Sequence, residues 1–289
     1  MVSIAKGDIP VGLDLGAHEY EITPALVAEY SAGVDDHHAW YSGASPFGGA
    51  VAPALLLHSE VYRFGRWYLP NVWGNLHARQ EWELLAPATV GDRVSTRSAV
   101  VDRYVKRGRD YVVNEAQIFD SEGRLLSRGR THQSFVLERP EEGAAVDKER
   151  EKRSDRRFDV GREGGRTISS DPRQITLEMC KSFSGPSENY HTNREMARAL
   201  GFPDIVVQGM MTLCFLSGLL TREFGDGWYM GGKMSVALVN VVWCGDTISA
   251  RGMVREERAE GRRTRVELGV WCEKADGTKV VVGSASALA

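Results

Sequence analysis

Cysteine is scarce in this chain and poorly placed for cross-linking. Four occur in 289 residues, Cys180, Cys214, Cys244 and Cys272, at intervals of 28 to 34 positions. No pair has zinc-ligand spacing, so a disulfide scaffold and a cysteine-rich metal site are both excluded; the expectation is reduced, mostly buried thiols. Long apolar runs are missing as well. A membrane-spanning helix needs roughly 18 continuous apolar residues, whereas the best stretch, 210–220, is short and carries Ser217 and Gly218. Residues 1–8 lack the apolar centre of a signal peptide, and a cytoplasmic protein without a membrane span is expected. Charge of one sign is not in excess, the net value being −3, which argues against nucleic acid or an anionic membrane as partner. The segment 43–47 lacks the second glycine of a nucleophile elbow. Glycine-rich 161–165 has no strand-to-helix unit around it and is no phosphate loop. Asp35, Asp36, His37 and His38 form a dense group. Adjacent side chains diverge and no further ligand pair accompanies them, so no metal is expected.

What remains is an ordinary globular composition, 42% hydrophobic and 26% charged, long enough for two domains or one large one. Thr23-Pro24 reads as a helix N-cap followed by proline at the first helical position. An apolar segment at 50–64 reads as a buried helix. Strands follow at 76–85, 92–105, 111–119 and 125–137, separated by turn sequences at 106–109 and 120–124. One helix followed by an antiparallel meander predicts an α+β unit whose sheet wraps the helix. Between 139 and 166, 17 of 28 residues are charged and Phe158 is the sole aromatic. Such a stretch buries too little apolar surface to order itself and reads as a linker.

Beyond it the first half recurs. Asp35-Asp36-His37-His38 becomes Glu188-Asn189-Tyr190-His191 at an offset of 153, Gly91-Asp92 becomes Gly245-Asp246 at 154, and Gly108 and Gly123 become Gly261 and Gly277. In-order matches at nearly one offset mean a tandem duplication. The expected units are 1–138, a linker at 139–170, and 171–289, the second with its long helix at 207–224.

The second copy of the loop, with the residues after it, resembles the MaoC-like, double-hotdog enoyl-thioester hydratases and dehydratases. Phe183, Gly185, His191, Ala197, Gly201-Phe202 and Val206-Val207-Gln208-Gly209-Met210 stand at the family's spacings. The resemblance implies a tandem hotdog, with two antiparallel sheets each wrapped around a long helix and joined edge to edge. It also implies a lyase of fatty-acid metabolism that interconverts 2-enoyl and 3-hydroxyacyl thioesters. The substrate would ride on coenzyme A or an acyl carrier protein, no cofactor would be required, and a homodimer is compatible with it. Two departures bear on the chemistry: Pro186 replaces the family's aspartate, and Gln208 replaces the histidine before the helix glycine.

For such a reaction His191 suits acid–base work, since an unperturbed imidazole titrates near neutral pH. Glu188 is the candidate partner and Asn189 the candidate orienting group. Gly209, with Gln208 and Met210, is expected to receive the substrate carbonyl at a helix N-terminus. Asp36 and His38 are the candidates for a first-repeat contribution. Two other readings stay open: a hotdog thioesterase in which Glu188 directs water, and a binding subunit that lost the chemistry along with the aspartate.

Overall fold

Two threonines 153 positions apart open the two halves in the same way. Thr23 Oγ1 accepts from the Leu26 amide at 3.1 Å and starts α1, Pro24–Val34. Thr176 Oγ1 accepts from the Met179 amide at 3.2 Å and starts α2, Leu177–Ser184. The duplication extends to the turns. Gly91 and Gly245 both take positive φ, 98° and 97°. The following aspartates, Asp92 and Asp246, accept from the Thr89 and Trp243 amides at 2.7 and 2.8 Å. Glycine is needed there because left-handed backbone is costly for other residues.

The computed structural model describes residues 9–57, 63–64, 76–136, 158, 160 and 165–289. Its strands are β1 Asp14–Glu21, β2 Leu76–Leu84, β3 Arg93–Lys106, β4 Arg109–Phe119, β5 Leu125–Val136, β6 Thr167–Ser169, β7 Arg173–Gln174, β8 Lys233–Leu238, β9 Thr247–Glu260, β10 Arg263–Lys274 and β11 Lys279–Leu288. They form one sheet in the order β1-β3-β4-β5-β2-β8-β11-β10-β9-β6, with β7 on β9. The meander expected in the first half is present and its turns fall where the sequence placed them. The halves join antiparallel through β2 and β8, with Gln80 opposite Val236 and Trp82 opposite Met234. That pairing removes two exposed edges.

The remaining helices are α3, Arg194–Ala199, α4, Gly209–Phe224, and α5, Asp226–Tyr229. Helix α4 is the axis of the molecule. Met210, Met211, Leu213, Phe215, Leu216 and Leu220 are fully buried, and the helix packs against β9, β10 and β11. A helix apolar on nearly all sides belongs inside a sheet that curls around it. Among the described residues no helix is long and apolar enough to cross a membrane.

The first-half helix expected at 50–64 is corrected in part. Val51 forms a bridge with Thr89, the Ala52 amide donates to the Ala88 carbonyl, and 54–57 is a turn. Pro53 offers no N–H and biases its predecessor away from helical geometry. Arg63 is helical, and 58–62 lie outside the described residues. Within the stretch expected as linker, Thr167–Ser169 pairs with β9 and buries Ile168, so the second sheet begins earlier than charge density suggested. The four cysteines are free thiols, three of them buried.

Candidate functional site

His191 sits on a loop braced by its neighbour. The Asn189 amide group donates from Nδ2 to the carbonyls of Ser184 and Ser187, at 2.9 and 3.0 Å. Its Oδ1 accepts from the His191 backbone at 2.8 Å. The Asn189 amide N–H is held by Thr192 Oγ1 at 2.9 Å. An asparagine that uses both ends of its side chain on the backbone fixes a loop that has no regular structure of its own.

The imidazole is tied at one end. His191 Nδ1 lies 2.7 Å from the Val206 carbonyl oxygen. A carbonyl can only accept, so Nδ1 carries the proton and Nε2 holds the lone pair of the neutral ring. Burial lowers the His191 pKa to about 4, against a smaller opposing pull from the Val206 carbonyl. The neutral, proton-accepting form therefore prevails at physiological pH. Tyr190 lies against the ring at a centroid distance of 3.9 Å.

The same Val206 leads directly into α4. Gln208 is its N-cap residue and makes no side-chain cap bond; its Oε1 accepts from Ser184 Oγ at 3.3 Å instead. The first amides of a helix have no carbonyl one turn back, and here no cap side chain claims them. Gly209 is tightly enclosed: a Cβ would fall 2.2 Å from Leu238 Cδ2 and 3.9 Å from His77 Nδ1. Met210 is fully buried and contributes its backbone and core packing.

Residue by residue, the structure gathers His191, Asn189, Gln208 and Gly209 around the entrance to α4. Glu188 does not join them. It is exposed, and its Oε2 accepts from Asn193 Nδ2 at 3.1 Å, toward the start of α3. The expectation of a Glu188–His191 pair is thus not met by the geometry. Asp36 and His38 lie elsewhere. Asp36 is buried, accepts from Tyr41 OH at 3.1 Å, and pairs with Arg222 Nη1 at 3.2 Å. Its Oδ2 would stand 2.6 Å from a Cβ on Gly218. Nine residues of helix separate Gly218 from Gly209, about 13 Å at the α-helical rise. His38 caps a short 3-10 turn by accepting from the Trp40 amide at 3.3 Å. Both first-repeat residues hold structure together.

One residue escaped the sequence reading. His77, from β2 of the first half, faces the Gly209 backbone from across the junction of the sheets, and its Nε2 lies 3.0 Å from Gln80 Oε1. Burial lowers its pKa to about 4. Alternation gave no signal for it: Gln80, Trp82 and Leu84 face inward at even positions, and His77 joins that face only through the register shift between His77 and Arg79.

Comparison with known proteins bears on the family and the fold. Residues 160–274 match the MaoC like domain, and residues 10–128 match the FAS1-like, dehydratase domain region. No curated protein matches the chain. Among solved structures, a MaoC-like dehydratase from Phytophthora capsici superposes with a TM-score of 0.70 at 16% identity, covering 96% of each chain. A conserved hypothetical protein from Mycobacterium tuberculosis with a double hotdog fold superposes at 0.64 and 15% identity, covering 99% of this chain and 98% of its own. The full-length peroxisomal multifunctional enzyme type 2 of Drosophila melanogaster gives 0.66 at 17% identity, with 94% of this chain covering 48% of that one. Along one continuous double-hotdog sheet, the second half matches the MaoC like domain and the first half a FAS1-like dehydratase region, so that the chain is similar to the MaoC-like dehydratases in both halves.

Proposed function

We propose that the chain interconverts a 2-enoyl thioester and a 3-hydroxyacyl thioester, carried by coenzyme A or an acyl carrier protein. The observation that carries this reading is the neutral His191, with Nε2 as its free basic atom, beside an uncapped helix N-terminus. In the hydration direction Nε2 takes a proton from water as the oxygen bonds to C3. Negative charge then develops on the thioester oxygen, where the first N–H groups of α4 and the helix dipole favour it. The imidazolium returns the proton to C2, so one group serves in both steps and no second carboxylate is required. Asn189 positions the loop, and Gly209, having no Cβ, lets Leu238 pack directly on the first turn of α4 and hold its amides in place.

The test is incubation with short 2-enoyl-CoA and 3-hydroxyacyl-CoA substrates, following the conjugated double bond and free thiol together. Loss of the double bond without thiol release is expected. Rapid thiol release would overturn the reading in favour of a thioesterase. Binding with neither reaction, across several chain lengths, would overturn it in favour of a binding subunit.

A further inference from the structure

The inward face of the first sheet is not uniformly apolar. A contiguous polar band crosses it, starting at the junction with β8. His77 stands opposite Gln133, Gln80 opposite Thr131, and Thr131 opposite Asn114. Hydrogen bonds link some of its members: Thr131 Oγ1 donates to Gln80 Oε1 at 2.8 Å, and Ser98 Oγ donates to Asn114 Oδ1 at 2.5 Å. Gln80, Asn114, Thr131, Gln133 and Ser98 are all at most 3% exposed. Trp82, Leu84 and Ile118 bound the band on one side, and Val100, Val112 and Phe135 on the other, in separate apolar clusters. Its near end is the residue that faces Gly209 at the start of α4.

Two atoms in the band have no partner. Asn114 Nδ2, a donor, and Gln133 Oε1, an acceptor, are buried without a hydrogen bond among the described residues. Buried polar groups are nearly always satisfied, so an unpaired donor and acceptor in one connected band need an explanation. A fold that wanted only a core here would have used the aliphatic residues it uses on either side.

We infer that this band receives the acyl end of the substrate, and that this end carries an uncharged hydroxyl, which accepts from Asn114 Nδ2 and donates to Gln133 Oε1. The inference rests on the enoyl-thioester reading, which puts the thioester carbonyl at the start of α4. An uncharged group is specified by the lining. Amides, hydroxyls and an imidazole make up the band, and the neighbouring Arg103–Asp110 pair is closed on itself at 2.8 Å. A carboxylate buried without a cation would be strongly disfavoured. An alkyl chain would leave both unpaired atoms desolvated and unsatisfied.

The experiment compares isosteric pairs at two chain lengths: hex-2-enoyl-CoA with 5-hydroxypent-2-enoyl-CoA, and oct-2-enoyl-CoA with 7-hydroxyhept-2-enoyl-CoA. Within each pair only a terminal methyl and a hydroxyl differ. At one length or both, kcat/KM should favour the hydroxylated member by roughly tenfold or more. Asn114→Leu and Gln133→Leu should each bring that ratio toward one. Loss of Asn114 leaves Ser98 Oγ a second acceptor, the Glu115 carbonyl at 3.3 Å. If either variant fails to fold by circular dichroism, the other decides. A wild-type ratio of one or below at both lengths, or a ratio unmoved in the folded variants, overturns the inference and leaves the hydration reading intact. If no thioester turns over, the hydration reading has failed, and calorimetric titration with the same pairs decides the band separately. Tighter binding of the hydroxylated members, lost in the variants, upholds the polar subsite; equal binding or none overturns it.

Discussion

At the scale of single residues the proposed chemistry depends on one proton being in the right place. The Val206 carbonyl fixes the His191 tautomer, and burial lowers the pKa to about 4. A base must be neutral to act, and a base with a lowered pKa stays neutral into acid. The acid limb of kcat/KM should therefore lie near pH 4, with little change between pH 7 and 5. A limb centred near 6.5, the ordinary imidazole value, would show that His191 is not the base. His191→Gln should lower kcat by roughly a hundred- to ten-thousandfold and abolish that limb. Glu188→Gln should leave kcat and KM within about twofold, because Glu188 is an exposed partner of Asn193. A loss comparable to that of His191→Gln would restore the paired mechanism. His191 was legible in the sequence because a motif surrounds it. That its Nδ1 meets the Val206 carbonyl and not Glu188 was not, since side-chain direction within a loop leaves no signal in sequence. Here Asn193 captures Glu188.

At the scale of elements, α4 does two jobs at two ends. Its N-terminus is open because Gln208 turns to Ser184 rather than capping it. Gly209→Ala would set a Cβ against the tip of Leu238, which can rotate away. The fold should survive, while kcat falls by roughly ten- to a hundredfold as the displaced Leu238 shifts the first turn of α4 and its amides; Michaelis kinetics and a melting curve on the same sample check both halves of the statement. Further along the helix, Asp36 reaches from the first half to Arg222 and lies over Gly218. Asp36→Ala leaves Tyr41 OH and Arg222 without that partner. It should cost about 2 kcal/mol in urea unfolding, less than a fully buried pair because Arg222 keeps some solvent. Turnover at 25 °C should change little. Asp36 looked in sequence like a candidate for a first-repeat contribution to the chemistry; it is a clamp between the halves. Strands and hairpins were readable because alternation and turn glycines are local signals. The start of the first-half helix was not, because the Val51–Thr89 bridge that displaces it is a contact between distant segments.

At the scale of the whole molecule, the halves that the sequence repeats do not form separate bodies. One apolar cluster runs from Ile22, Val27 and Trp82 of the first half to Met211, Trp228 and Ala285 of the second. Tyr229 OH donates to the Ala52 carbonyl at 3.1 Å, and Trp40 and Phe47 pack on the Tyr229 ring at 6.2 and 5.6 Å. The β2–β8 ladder carries the backbone bonding across the same junction, flanked by Lys233–Glu83 at 3.0 Å. If either half unfolded alone, the other would be left with an open sheet edge and part of the shared core in water. That intermediate is costly in apolar area as well as in unpaired backbone. Duplication in sequence therefore predicts two repeats of structure but a single unit of stability. Urea unfolding followed by far-ultraviolet circular dichroism and by tryptophan fluorescence should give coincident transitions. The probes sample both halves, since Trp40 and Trp82 lie in the first and Trp228, Trp243 and Trp271 in the second. Two resolved transitions would mean that the core and the β2–β8 ladder couple the halves too weakly for the first sheet to be held as a fixed wall against the start of α4.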